Sequence, residues 1–374
     1  MATRPLRGET RRTMLKAAAG AIAAPALLRA GPAEAALAPD AGSMLIIGFD
    51  GVSAAGHSAR ALAEAMRHGW AGGVMFHARN IGDREDFRGL VELFDGTGRR
   101  PLLAVDQEGG DVQRLGPAQE FTRFPRARNV ASTMTVEEAA ALYAAAGAQL
   151  RDIGVNFNLA PVADLDDPGN PIIGAYGRAF SADPAIVAQY AAAAIAGFAS
   201  AGILTAAKHF PGHGHSLGDT HEGFVDITST FQLAELLPFR DLVAAGRTPA
   251  VMVGHLAHRY FGYAPASLSP LAIDGLLRGI LGYRGVVITD DLDMDAIRNL
   301  MSLEDAVIAS AAAGNDLIIL SNSVDNDPDL ARKAVNWLVR AAVDGRLPRS
   351  RITESAARVR QLKALLPAEA EDTD

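Results

Sequence analysis

The sequence predicts a single-domain (β/α)8 barrel of the TIM type, and three observations support this. Beyond residue 42, short apolar runs alternate with longer alanine-rich amphipathic stretches, the pattern of repeated β-α units around a parallel sheet. Eight apolar runs can be counted. Ionisable residues directly follow several of them, as they do at the carboxyl ends of barrel strands. An open doubly wound sheet is the competing architecture, but the even repetition and the polar strand ends favour closure.

The strand candidates are compact and apolar, as strands covered on both faces should be. They comprise residues 44–49, 73–76, 102–105, 156–160, 204–207, 250–254, 285–288 and 316–320.

Capping residues mark the starts of helices between these runs. Thr135 is followed three residues later by Glu138, which is the spacing of a capping box. Asp183 precedes Pro184, and proline is favoured at the first helical position. Ser302 precedes a third amphipathic stretch and predicts another helix start there.

The amino-terminal segment has the composition of an export signal. The Arg11-Arg12 pair, preceded by threonine, stands before the alanine-rich run 17–28, and residues 33–35 offer a small-x-small cleavage site. Pro25 interrupts the apolar run, which is shorter than the roughly twenty residues of a membrane span. An amphipathic surface helix is the alternative, but the arginine pair favours export by a twin-arginine type of route.

These features divide the chain into three parts. We expect a signal peptide at residues 1–35, one catalytic domain at residues 42–366 and an acidic tail at residues 367–374. The mature protein is then expected to be periplasmic or secreted and to keep no stable membrane span.

Composition limits the classes of partner. The formal net charge is −8 and the isoelectric point is near 5.6, which disfavours nucleic acid and anionic membranes because both require a basic surface. The chain has no cysteine, so disulfides, thiolate catalysis and cysteine-based metal sites are excluded. A small neutral or cationic substrate is the easiest partner for this surface.

One glycine-rich loop concentrates the ionisable side chains. Residues 208–221 have the sequence K-H-F-P-G-H-G-H-S-L-G-D-T-H, with four of the nine histidines of the chain. Asp219 can orient the His221 ring and stabilise its protonated form, which suits proton transfer. A surface loop whose histidines only form hydrogen bonds is the alternative, but such a loop seldom needs so many.

Two adjacent aspartates end the seventh apolar run. Neighbouring side chains of a strand face opposite ways, so we expect only one of Asp290 and Asp291 to point into the barrel mouth. Asp290 could attack an anomeric carbon while an acid on the other face protonates the leaving oxygen. Asp291 would then support the loop. A pair that caps the next helix remains open at this point.

Three weaker candidates come from other strand ends. Residues 106–114, D-Q-E-G-G-D-V-Q-R, offer forked donors and acceptors for sugar hydroxyls, although a turn held by salt bridges fits equally well. Arg79 and Asn80 have the character of scaffold hydrogen-bonding residues. His255 alone is interpreted as a buried structural histidine.

Together these segments resemble glycoside hydrolase family 3, in particular its single-barrel bacterial β-N-acetylglucosaminidases. The resemblance rests on D-Q-E-G-G-x-V-Q-R at 106–114, N-L-A-P-V-A-D at 158–164, K-H-F-P-G-H-G followed by D-T-H at 208–221, and T-D-D-L-D-M at 289–294. The third motif is the most diagnostic. The resemblance implies a retaining exo-hydrolase that releases terminal β-linked N-acetylglucosamine from cell-wall fragments through a covalent glycosyl-aspartate.

The resemblance also implies residue roles. Asp290 is the nucleophile, and His221 is the proton donor assisted by Asp219. The residues implied to hold the non-reducing sugar are Asp106, Arg114, Arg178, Lys208 and His209. No cofactor and no metal are implied, and we expect a monomer whose partner is a small carbohydrate.

Three features depart from the family pattern. Asp111 stands where the family has arginine, and residues 173–180 are longer than the short family turn that carries the residue equivalent to Arg178. Relatives of this branch are commonly cytoplasmic, whereas we expect this chain to be exported. Export would move the substrate to wall fragments or chitin-like oligosaccharides outside the cytoplasm.

Other functions remain in competition. A β-N-acetylglucosaminide phosphorylase or a β-glucosidase of the same family would use the same residues. A zinc hydrolase would need its ligands from His209, His213, His215 and His221, although one short loop rarely supplies all ligands of a metal. An exported sugar-binding protein without catalysis is the non-enzyme alternative.

Overall fold

The structure is a computed structural model that describes residues 32–368. Eight parallel strands pair in sequence order, and the last pairs with the first, so the predicted (β/α)8 barrel is confirmed. The strands are β1 Leu45–Ile47, β2 Gly73–Phe76, β3 Leu102–Val105, β4 Phe157–Asn158, β5 Leu204–Phe210, β6 Ala250–Val253, β7 Val286–Asp291 and β8 Leu317–Leu320.

All eight strand candidates form strands, and they differ from the prediction at their ends. β5 runs on through Lys208 and His209, which the sequence had suggested to be loop residues. β7 likewise includes Asp290 and Asp291, and its register against β8 is irregular between Ile288 and Asp291. These extensions carry polar side chains, so hydrophobic patterning could not detect them.

Helices cover the outside of the barrel. They are α1 Pro32–Ser43, α2 His57–Arg67, α3 Arg84–Asp95, α4 Ala127–Thr133, α5 Val136–Asp152, α6 Pro184–Ser200, α7 Leu236–Ala244, α8 Asp295–Arg298, α9 Leu303–Ala313, α10 Leu330–Val343 and α11 Arg349–Lys363, with a π-type helix at Leu271–Ile280. Helix α5 has the predicted capping box, and Asp183 and Ser302 cap α6 and α9.

The core has two layers, because each strand is apolar on both faces. Side chains such as Ile46 and Phe157 fill the barrel interior. Their neighbours along the strands, such as Leu45 and Ile47, pack outward against the helices. Both layers consist of buried apolar side chains, which explains why the strand candidates were continuous apolar runs rather than alternating ones.

The amino end of the described chain belongs to the folded unit. Helix α1 begins ten residues before the predicted domain start at 42, buries Leu37 and Ala41, and contacts α10 and α11. The Asp40 carboxylate pairs with Arg360 at 2.9 Å. The predicted cleavage residues 33–35 fall in the first turn of α1.

Most of the predicted signal peptide, residues 1–31, lies outside the described residues, as do residues 369–374 of the predicted tail. Within residues 32–368, none of the helices has the length and hydropathy that crossing a bilayer requires.

Candidate active site

A cavity of about 360 Å³ opens at the carboxyl ends of the barrel strands. It is the place where the polar strand ends converge, as expected for this fold. Its polar lining consists of His77, Arg79, Asp106, Arg114, Arg178, Lys208, His209, His221, Asp290, Asp291, Ser321 and Ser323. A second cavity, of about 400 Å³, lies at the amino end of the barrel and has no carboxylate among its lining residues. The first cavity therefore has the chemistry of an active site.

Asp290 is held in its ionised form at the end of β7. Burial alone would raise its pKa, but the facing histidines, His255 foremost, outweigh burial and lower it. Its Oδ1 accepts the backbone N–H of Asp291 at 2.9 Å. A buried carboxylate that stays ionised and faces a cavity is suited to nucleophilic attack.

Asp291 also lines the cavity, contrary to the expectation that only one aspartate of the pair would reach the barrel mouth. The irregular register of β7 at this point breaks the strict alternation of side chains. Its Oδ1 accepts the backbone N–H groups of Asp293 at 3.1 Å and Ser321 at 2.9 Å. Burial raises its pKa to about 6. These bonds tie the loop after β7 to the end of β8.

His255 positions the backbone of the aspartate pair. Its Nε2 lies 2.8 Å from the carbonyl oxygen of Asp291, which can only accept, so Nε2 carries the proton. Nδ1 lies 2.7 Å from the Ser267 hydroxyl. Burial lowers the pKa of His255, and Asp290 opposes this effect. The interpretation as a buried structural histidine agrees with these contacts.

The first part of the histidine loop is fixed by Asp164. Its Oδ2 lies 2.7 Å from Nδ1 of His209, and its Oδ1 accepts the backbone N–H groups of His209 and His213. Burial opposes ionisation of Asp164, but the His209 ring and these hydrogen bonds outweigh it and lower the pKa. Asp164 thus orients His209, which lines the cavity.

Two buried side chains anchor the middle of the loop. Glu235 accepts the backbone N–H of Gly214 at 2.9 Å. Asn170 donates to the carbonyl oxygens of His213 at 2.7 Å and Ser216 at 3.0 Å. A Cβ on Gly214 would lie 2.3 Å from the carbonyl oxygen of Leu165, so only glycine fits there. These contacts hold the loop close to the barrel.

The four histidines of the loop have separate partners. His213 Nδ1 bonds Ser216 at 2.6 Å, and burial lowers the pKa of His213 to about 4. His215 Nδ1 lies 3.1 Å from Glu235, without the angles of a hydrogen bond. In the part of the chain that the structure describes, no three histidine or carboxylate side chains converge as a metal site would require.

Asp219 and His221 form a close pair at the cavity mouth. Nδ1 of His221 lies 2.7 Å from Oδ1 of Asp219, which also accepts the His221 backbone N–H at 2.9 Å. Burial would raise the pKa of Asp219, but these bonds lower it. The His221 side chain is 62% exposed, yet it lines the same cavity as Asp290. The structure therefore places His221 and Asp290, the two predicted catalytic groups, on one cavity.

A buried ion-pair network forms the closed side of the cavity. Lys208 bridges Asp106 and Glu108, with Nζ 2.7 Å from each carboxylate. Arg178 clamps Glu108 with two hydrogen bonds of 2.8 and 2.9 Å. Arg114 approaches Asp106 at 3.5 Å.

Mutual attraction keeps this network charged in spite of its burial. Burial opposes ionisation of both carboxylates, but Lys208 and Arg114 lower the pKa of Asp106, and Arg178 and Lys208 lower that of Glu108 to about 2. The attraction of the two carboxylates likewise outweighs burial at Lys208 and raises its pKa. The predicted sugar-binding residues thus lie together, including Arg178 despite its longer segment.

Three polar groups in or beside the cavity were not assigned a role from the sequence. Glu108 and Asp164 lie inside the quoted motifs, but their partners are distant in sequence. His77 directly follows β2, and that position was its only signal. Burial, with help from Arg79, lowers the pKa of His77 to about 4, and its buried Nε2 has no hydrogen-bond partner among residues 32–368.

The structure also shows the contacts of Arg79, Asn80 and Asp111. Arg79 and Asn80 both donate to the carbonyl oxygen of Phe49, which fits a scaffold role. Asp111 pairs with Arg126 at 2.8 Å near the surface and is not among the residues that line the cavity.

Comparison with known families adds an independent finding. Residues 40–362 match the model of the glycosyl hydrolase family 3 N terminal domain. That range includes every cavity residue described above.

Similar proteins have related names. A "Beta-hexosaminidase" of Xylella fastidiosa is 36% identical over 303 residues, covering 78% of this chain and 86% of that protein. "Beta-hexosaminidase A" of Pseudoalteromonas piscicida is 30% identical over 323 residues, and the chain spans only about half, 54%, of its length. The crystal structure of a β-N-acetylhexosaminidase from Beutenbergia cavernae superposes with a TM-score of 0.79 at 30% identity, covering 88% of this chain and 98% of that one.

Proposed function

The chain belongs to glycoside hydrolase family 3, and from that premise we propose that it is an exo-acting, retaining β-N-acetylhexosaminidase that releases terminal β-linked N-acetylglucosamine. The observation that carries the proposal is the position of Asp290 and His221 on one cavity of about 360 Å³. The names of the similar proteins from Xylella and Beutenbergia support the choice of sugar.

In the first step the Asp290 carboxylate attacks the anomeric carbon, and the glycosidic C–O bond breaks. His221 gives a proton to the departing oxygen. The Asp219 carboxylate lies 2.7 Å from Nδ1 of His221 and can only accept a hydrogen bond, so Nδ1 carries a proton. Nε2 is therefore the nitrogen that donates to the leaving oxygen. The products are a glycosyl ester on Asp290 and a neutral alcohol.

In the second step the same nitrogen reverses its role. Neutral Nε2 takes a proton from water as the water oxygen attacks the anomeric carbon, and Asp290 leaves as a carboxylate. An imidazole base adds no second negative charge beside Asp290, whereas a carboxylate base would raise the pKa of the nucleophile. Asp219 stabilises the imidazolium that results.

The closed side of the cavity supplies the polar contacts for the sugar. Asp106, Glu108, Arg178 and Lys208 are mutually paired, so their geometry is fixed before substrate arrives. His209, oriented by Asp164, adds a further donor or acceptor. We extend the proposal to cell-wall fragments or related oligosaccharides outside the cytoplasm, on the basis of the Arg11-Arg12 segment.

The test compares native enzyme with Asp290→Ala and His221→Ala on β-N-acetylglucosaminides with good and poor leaving groups. The aspartate variant should lose nearly all turnover on every substrate. The histidine variant should lose least on the most acidic leaving groups, because these need little protonation. His68→Ala, a change at an exposed histidine on the barrel exterior, is the matched control.

Each alternative has its own outcome. Equal losses on good and poor leaving groups would remove His221 from the acid role. Sugar 1-phosphate as the product in phosphate buffer would establish phosphorolysis, and preference for β-glucosides would establish a glucosidase. Tight binding of the N-acetylglucosaminide without turnover would establish a binding protein. Loss of activity on exhaustive chelation would support the metal-dependent hydrolase instead.

A further inference from the structure

Two large apolar side chains are exposed on the loop region that carries the acid pair. Leu217 is 75% exposed and Phe224 is 47% exposed. Asp219 and His221 lie between them in sequence. Single exposed apolar residues are ordinary on protein surfaces. Here, however, two of them lie on either side of the proposed acid pair along the chain.

The backbone brings these two residues near each other. Leu217 directly precedes Gly218, and a Cβ on Gly218 would lie only 3.0 Å from Cγ2 of Val225. Val225 directly follows Phe224 and is buried beside Leu256, with which it pairs in a short parallel ladder. Phe224 lies just before this ladder and is exposed, whereas Val225 is buried. We call Leu217 and Phe224 the rim patch.

The rim patch flanks His221 along the chain. Lys208 and Glu108 are 3% and 6% exposed and form the closed side of the cavity, whereas the His221 side chain is 62% exposed. The proposed acid has to contact the glycosidic oxygen, so the aglycone extends past His221 toward solvent. Leu217 and Phe224 are the exposed apolar residues within four positions of His221.

The chemistry of the rim patch suits a sugar ring. A pyranose presents an apolar face of C–H groups, and binding sites combine apolar and aromatic walls with a few polar groups that fix orientation. The closed side of this cavity is polar and charged, while the rim patch is apolar. We propose that Leu217 and Phe224 form the subsite for the aglycone sugar ring, an inference that rests on the proposed hydrolase function.

The experiment separates aglycone binding from acid catalysis by the choice of substrate. The β-1,4-linked N-acetylglucosamine disaccharide and methyl N-acetyl-β-glucosaminide both have alcohol leaving groups that need protonation, but only the disaccharide offers a second ring. We expect Leu217→Ala and Phe224→Ala each to lower kcat/KM about five- to tenfold on the disaccharide, mainly through KM, and to leave the methyl glycoside unchanged.

Matched controls complete the test. Ile280→Ala removes a similarly exposed side chain, 76%, at the amino end of the barrel. It should leave kcat/KM unchanged on both substrates. Phe224→Tyr keeps the ring and should restore turnover of the disaccharide. Because the substituted side chains are exposed, melting temperatures should match that of the native chain.

Two outcomes overturn different statements. Equal losses on both substrates, or no loss on either, would overturn the aglycone subsite while the hydrolase function stands. If the native enzyme turns over neither substrate, the proposed function fails, and the subsite fails with it.

Discussion

Neighbouring residues in this site have opposite electrostatic behaviour. Asp290 faces histidines that lower its pKa, whereas burial raises the pKa of Asp291 to about 6. Asp290 is thus ionised at neutral pH, as the proposed nucleophile must be, whereas Asp291 accepts the backbone N–H of Ser321. Environment, rather than residue type, separates the two carboxylates.

The pKa of Asp291 predicts how stability depends on pH. Its value of about 6 in the fold exceeds the ordinary 3.8, so the folded state binds more protons between those values and its stability falls as pH rises from 4 to 6. Asp291→Asn should remove this loss, worth at most ~3 kcal/mol. The measurement is urea denaturation of both proteins at several pH values between 4 and 7. A constant difference between them would contradict the shift.

The pair formed by Asp219 and His221 predicts how catalysis depends on the charge of Asp219. Burial would raise the pKa of Asp219, but hydrogen bonds from His221 lower it, so the carboxylate stays ionised beside the ring. Asp219→Asn removes that charge, and kcat/KM should fall more for poor leaving groups, which need protonation, than for good ones. Asp226→Asn, at an exposed carboxylate a few residues along, is the control. Equal losses on both classes of leaving group would contradict the role proposed for Asp219.

The sequence could reveal a pairing of side chains only where the two residues are close along the chain. Asp219 and His221 are two residues apart, so their pairing was predictable. Arg178 and Glu108 are 70 residues apart, and Lys208 reaches Asp106 across 102 residues. Such pairs depend on the barrel bringing distant strand ends to one face, so the sequence predicted that these groups converge but not which side chains pair.

The loop that follows β5 shows how one element is held. Asn170 lies in a different loop, yet its side chain spans the carbonyl oxygens of His213 and Ser216. Glu235 accepts the backbone N–H of Gly214 in the same loop. His221 is exposed, but the backbone that leads to it is anchored by these two side chains.

Removing one anchor should therefore affect both stability and catalysis. Asn170→Ala should cost about 1–3 kcal/mol, because buried carbonyl groups lose their donor, and kcat should fall as the acid pair loses its support. Asn156→Ala removes a comparable pair of backbone hydrogen bonds, to Pro101 and Leu103 at the amino end of β4, and should affect stability alone. Denaturation and kinetics on both variants test this, and equal kcat losses would contradict it.

At the level of elements, hydrophobic periodicity was enough to locate all eight strands. It failed at their ends, because β5 and β7 continue through residues whose side chains are polar and serve the site. The short ladder at Val225 and Leu256 was also missed, since two residues are too few to show a period.

The proposed active site and a buried cluster of structural ion pairs lie at opposite ends of the barrel. At the amino end, the fully buried Asp316 accepts hydrogen bonds from Arg278, Arg351 and Arg358. Burial lowers the pKa of Arg278, and Asp316 opposes this effect. One carboxylate therefore balances several guanidinium groups where the barrel meets α11.

Loss of this carboxylate should destabilise the fold without changing the chemistry. Asp316→Ala leaves buried arginines without their partner and should cost about 3–5 kcal/mol. Asp329→Ala, which breaks the exposed pair with Arg332, should cost less than about 1 kcal/mol. Urea denaturation measures both, and kcat of the folded Asp316 variant should equal that of the native enzyme. A small destabilisation by Asp316→Ala would show that other groups balance the charges of the three arginines.

Helix α1 opens the described chain but packs against α10 and α11, and β1 pairs with β8. A ribosome delivers those partners last. At roughly 5–20 residues per second, helix α1 waits about twenty seconds to a minute for the surfaces that cover Leu37 and Ala41. Closure of the barrel therefore has to follow the synthesis of β8, α10 and α11.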